Sequence, residues 1–137
     1  MGTNFYARVN TCEHCNKPDY ELHIGKQSIG WQFGFRGYVN YQPIDGVELN
    51  LDSWQKWKSF LNHKTVRIVD EYGEEVKFSE FAKFVEASQL GCKLNHAYCV
   101  LHPEECPEGG FEHLDREYID KHWLDRDGYG FSDWVFC

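Results

Sequence analysis

The chain lacks any apolar run approaching the ~20 residues of a membrane-spanning helix, and its start lacks the basic-then-apolar layout of a secretory signal. A soluble, cytoplasmic protein is expected. Gly-x-Gly-x-x-Gly, Walker A and Gly-x-Ser-x-Gly patterns are all missing, so dinucleotide, P-loop and α/β-hydrolase chemistry have no motif to stand on. Neither His-Glu-x-x-His nor His-x-Glu…Pro-Cys-x-x-Cys occurs, which removes the usual signatures of catalytic zinc. The expectation is therefore a non-enzyme. Gly25-Lys26-Gln27-Ser28 has the lysine and serine of a phosphate loop without its upstream glycine, leaving only a phosphate contact by Lys26 or Ser28. Asp125-x-Asp127-Gly128 lacks the closing glutamate of a calcium loop and reads as a turn.

What is present is aromatic and unevenly charged. Aromatic residues make up 17% of the 137 residues, enough to exclude disorder and to build one core around a few large rings. Trp31, Trp54, Trp57, Phe81, Phe84 and Trp123 are the expected fillers, and residues 1–137 are read as a single domain. Net charge is −8, yet residues 1–101 hold 12 acids and 11 bases whereas residues 102–137 hold 10 acids and 3 bases. The C-terminal third is the acidic part. Such a surface repels nucleic-acid phosphates and suits a basic partner protein.

Six cysteines without a secretory signal point to metal rather than disulfides. Cys12 and Cys15 stand at the spacing of a zinc knuckle, and Asn16-Lys17-Pro18 reads as a turn rather than the helix start of a thioredoxin-like motif. His23 follows eight residues later on the non-apolar face of a strand and is the third candidate. A fourth ligand has to come from the Cys92 to Cys106 stretch, where His96, Cys99 and His102 compete. A Zn2+ ion held this way would clip the two stretches together and contribute several kcal/mol to folding.

Periodicity predicts an α+β fold: a small antiparallel sheet and two or three helices in one zinc-clipped domain. Strands are expected at Asn4–Asn10, Tyr20–Lys26, Trp31–Arg36, Thr65–Val69 and Phe131–Phe136. Helices are expected from Ser53 to Leu61, with Asp52 and Gln55 as capping pair, from Ser79 to a left-handed stop at Gly91, and after Asp115 through Tyr118, Ile119, His122 and Trp123. Asn40–Leu51 reads as a surface loop and Cys92–Gly110 as irregular.

The opening Met1-Gly2-Thr3-Asn4-Phe5-Tyr6, the Cys12/Cys15 knuckle, the block from His23 to Trp31 (His-Ile-Gly-Lys-Gln-Ser-Ile-Gly-Trp) and Arg67 to Gly73 together resemble a group of small tailed-bacteriophage proteins. The resemblance implies a phage origin, life in the cytoplasm of an infected bacterium, and a metal site using Cys12, Cys15 and His23. Asn95-His96-Ala97 shares it, which selects His96 as fourth ligand. The functional expectation is a zinc-clipped accessory protein that binds and modulates a host protein, such as a defence or nucleic-acid enzyme with a basic surface. The alternative is a small nucleic-acid-binding zinc module, with Lys26, Arg36, Lys56, Lys58 and Lys64 as a basic strip and Tyr38 and Tyr41 stacking on bases.

Overall fold

Phe5, Ala7 and Val9 alternate along β1 (Gly2–Val9) and bury one face of it. This strand is central in the computed structural model, which describes residues 2–91 and 94–133. β1 pairs antiparallel with β2 (Tyr20–Ser28) on one side and β6 (Val66–Asp70) on the other. The sheet then extends through β7 (Glu75–Val76) beyond β6, and through β3 (Gly34–Arg36), β9 (Gly130–Ser132) and β8 (His122–Leu124) beyond β2. Among the described residues it has seven strands, and its one parallel pair is β3 with β9. The fold is α+β with a mixed, mostly antiparallel sheet, larger than the small sheet expected.

Helices α1 (Trp54–Leu61) and α2 (Phe78–Gly91) cover the face that carries Phe5, Leu22, Ile24, Phe35 and Phe131. α1 contributes Trp54, Trp57 and Leu61, spaced for one helical face, and α2 contributes Phe81, Ala82 and Val85. Phe35 lies at the centre, stacked on Phe131 at 4.9 Å with Trp54 at 5.3 Å. Burying rings of this size dominates the core energy, at roughly 25 cal/mol per Å² of apolar surface.

The opposite face is set by a bulge. Phe5 pairs with Gly25 but Tyr6 pairs with His23, so Ile24 is the extra residue and Lys26 emerges on the same side as His23. Over β8 and β9 this second face is covered by α3 (His96–Leu101) and bordered by α4 (Arg116–Asp120). Asn95 explains the docking of α3. Its carboxamide oxygen caps the helix by accepting from the Tyr98 N–H at 3.1 Å, and its Nδ2 donates to the Gly128 carbonyl at 3.0 Å. Gly130 and Ala97 are small because the two elements touch there, and a Cβ on Gly130 would strike Asn95 Oδ1.

Several expectations are corrected. The loop from Asn40 contains a two-stranded ribbon, β4 (Tyr38–Tyr41) with β5 (Leu49–Leu51), which buries Leu51 and Tyr38. Ser53, not Asp52, caps α1 by accepting from the Lys56 N–H, and Asp52 pairs with the Lys56 ammonium at 2.9 Å. α2 ends inside a helical Gly91 rather than on a left-handed one. His96–Leu101 is helical in the stretch expected to be irregular, with Cys99 and Val100 buried. The last helix stops at Asp120, and His122 and Trp123 belong to β8 instead. Trp31 lies outside β3, and among the described residues its strand-type pairing is an isolated parallel bridge to Leu94. Of the expected final strand, residues 131 and 132 lie in β9, and residues 134–137 fall outside the described residues, as does Cys92.

Candidate functional site

Alternation along β9 sends Phe131 to the core and Gly130 and Ser132 to the second face. There, between β2, β3, β9 and β8 below and α3 and α4 beside them, lies a cavity of about 490 Å³. That volume lies within the range of small-molecule sites. Lys26, Trp31, His96, Phe111, Tyr118 and His122 are its chemically distinctive walls. Gly34 is part of the floor, where a Cβ would meet nothing nearer than the Lys26 carbonyl oxygen at 3.9 Å. The missing side chain keeps the floor open.

Both imidazoles are held neutral and oriented. His96 Nε2 lies 3.1 Å from the Tyr118 hydroxyl, and its ring meets Trp31 edge-on at 5.6 Å. His122 Nδ1 lies 2.7 Å from the Tyr118 backbone carbonyl. A carbonyl can only accept, so Nδ1 carries the proton and the neutral ring keeps Nε2 as an acceptor. Burial lowers the pKa of His96, helped by the nearby His122, and burial likewise lowers that of His122. Trp31 and Phe111 add aromatic faces and edges 6.3 Å apart. Among the described lining residues the one formally charged side chain is Lys26.

Beside this cavity, on the same face, His23 stacks on Tyr6 at 5.1 Å and places Nε2 2.9 Å from Asn4 Oδ1. Burial, then the Arg36 guanidinium, push its pKa down to about 4, with Lys26 acting in the same direction. The two cations Arg36 and Lys26 therefore act on His23 in a chain whose net charge is acidic.

The structure does not bring Cys12, Cys15, His23 and His96 to one point. The two cysteines sit in the turn before β2, whereas His96 packs on Trp31 beyond its far end. A nine-residue strand separates them by on the order of 25 Å at ~3.3 Å per residue. His23 pairs with Tyr6, six residues before Cys12, and its Nε2 is engaged by Asn4. Cys99 is buried against Cys106, with its thiol pushed up to about 12, chiefly by burial. Among the described residues, the group of three or more ligand atoms close enough to share an ion is His102, Glu104 and Glu105, with both glutamates exposed. The basic strip is divided as well. Lys26 and Arg36 are on the sheet, while Lys56 and Lys58 are on α1 and pair with Asp52 and Glu86.

The Cys12–Cys15 segment itself is a hydrogen-bonded turn. Cys12 N–H donates to Lys17 O at 2.9 Å, Asn16 N–H donates to Cys12 O at 2.8 Å, and Asn16 takes the left-handed conformation that closes the turn. The N–H groups of Cys15 and His14 point at the Cys12 sulfur and lower its pKa, helped by the Cys15 thiol.

Sequence reasoning singled out Lys26, Ser28 and His96 without placing them in one site. It missed Tyr118 and His122 as partners of His96, because the helical spacing of Tyr118 and His122 in the sequence is not the relation that joins them: α4 ends at Asp120 and His122 opens β8. The chain matches no family model, no curated protein and no solved structure.

Proposed function

We propose that the protein is a non-enzymatic binding protein whose second-face cavity takes a small anion bearing a planar ring. The single observation that carries this reading is a cavity of about 490 Å³ with aromatic walls, two neutral imidazoles and a lysine as its charged lining group. Aromatic edges and faces select a flat ring, neutral histidines and Tyr118 offer hydrogen bonds without demanding a charge, and Lys26 supplies the cation for a phosphate or carboxylate. Nucleoside monophosphates combine these features and are the probe of choice.

Saturation-transfer NMR and thermal-shift measurements with a set of nucleoside monophosphates test it. Binding is expected for the native chain, at least tenfold weaker for Lys26→Gln, and absent for Gly34→Leu, which fills the floor without touching the core. No binding by the native chain, or undiminished binding by Gly34→Leu, refutes the reading.

A second reading has its own support. Glu104, Glu105, Glu108, Glu112, Asp115, Glu117 and Asp120 are all exposed, a surface suited to a basic partner protein, in line with the host protein implied by the phage resemblance. Pull-down from a bacterial lysate with a charge-neutralised variant of these positions as control tests that association.

A further inference from the structure

We propose that Cys12 and Cys15 form one half of a tetrahedral zinc site, and that a second copy of this chain supplies the other half. The site stands apart from the cavity. Both cysteines are exposed, and they occupy the tip of the β1–β2 hairpin at one end of the sheet. Two backbone hydrogen bonds, from Cys12 N–H and from Asn16 N–H, fold the tip, so the pair is preformed. The Cys15 and His14 N–H groups that face the Cys12 sulfur are the donors a metal-bound thiolate uses to spread its charge.

Two thiolates do not satisfy zinc, which takes four ligands in a structural site. Among the described residues, no histidine, cysteine, aspartate or glutamate places a third ligand atom close enough to both sulfurs to share an ion with them. His23 and His96 are withdrawn to the second face and hydrogen-bonded there to Asn4 and Tyr118. A protruding, solvent-open pair is met most simply by an identical pair across a two-fold axis, the commonest symmetry of homodimers. Four thiolates then surround one ion, each pair losing its protons to solvent as the metal binds. Charge permits the approach, because residues 1–101 carry 12 acids against 11 bases and the acidic third belongs to other elements.

Zinc content by elemental analysis, together with mass by light scattering under reducing conditions, tests the full chain. The expected result is one zinc per two chains in a dimer, which EDTA converts to a monomer with unchanged circular dichroism. Cobalt replacing zinc should give the intense visible absorption of a tetrathiolate site. Cys15→Ser, an exposed change, should yield a folded monomer without metal. One zinc per chain in a monomer, a metal-free protein, or a dimer that survives both EDTA and Cys15→Ser overturns the proposal.

Discussion

His96 Nε2 and the Tyr118 hydroxyl, 3.1 Å apart, join α3 to α4 across the cavity. Both residues are partly buried, so the bond is shielded and its loss is felt. Tyr118→Phe removes the hydroxyl while keeping the ring against His122. It should lower the unfolding free energy by about 1 kcal/mol, the net worth of one such bond, read by urea denaturation. It should also weaken nucleoside monophosphate binding by freeing the His96 ring. Unchanged stability and unchanged affinity together would show that the contact organises nothing.

The alternations in Phe5-Ala7-Val9 and Leu22-Ile24, and the helical spacing of Trp54, Trp57 and Leu61, were legible because each is set by local periodicity. Three things were not. β4 and β5 exist through their mutual pairing, which no local period announces. The bulge at Ile24 moves Lys26 to the His23 face, and the simple alternation of β2 does not show it. His122 could continue a helix with Tyr118 or start a strand, and its Cα pairing with Ser132 on β9 decided the matter. The cavity therefore depends on tertiary pairing, although its residues Lys26 and His96 stood out in the sequence.

Acid should destabilise the protein through its buried imidazoles. His23 titrates near 6.5 in the unfolded chain and at about 4 when folded, lowered first by burial and then by Arg36. Between those values the unfolded chain binds the additional proton, so stability is complete above the upper value and falls as pH drops toward the lower one. His96 and His122, also lowered, act with the same sign. Asn4, Tyr6, Arg36, Lys26, Tyr38 and the Gly25 backbone are among the groups that contact or act on His23. The two cations oppose its protonation, and the Gly25 backbone hydrogen bond favours it without reversing the downward shift. Melting temperature measured across this window should fall with pH, and His23→Gln should flatten the slope. An unaltered slope in that variant would assign the acid sensitivity elsewhere.

Asp125 is a tie between the β8–β9 turn and α1. One carboxylate oxygen accepts from the Trp54 N–H at 2.8 Å at the helix start, and the other accepts from the N–H groups of Asp127 and Tyr129 at 3.0 and 2.9 Å. Asp125→Ala leaves three backbone donors without this acceptor, including one at an N-terminus where negative charge is favoured. A loss of about 2 kcal/mol is expected from the range for cap removal, measured by urea denaturation. Asp125→Asn, which keeps one acceptor oxygen, should lose less, and equal losses would locate the effect in charge alone.

Gly130 and Gly34 sit on the same face of the sheet and make opposite demands on a side chain. At Gly130 a Cβ would meet the Asn95 carboxamide oxygen and lie 3.1 Å from Ala97 Cβ, so α3 has to lift or its cap has to turn away. Overpacking of this kind costs about 1–3 kcal/mol, and because Asn95 both caps α3 and holds the Gly128 carbonyl, the cost should concentrate in that helix. Hydrogen exchange of Gly130→Ala should therefore show faster exchange at the amides of Cys99 and His102, which donate within and at the end of α3. Gly34→Ala should leave both stability and exchange unchanged, since its Cβ enters open space over the cavity floor. If Gly130→Ala exchanges like the native chain, close contact between β9 and α3 is not what shapes the cavity wall.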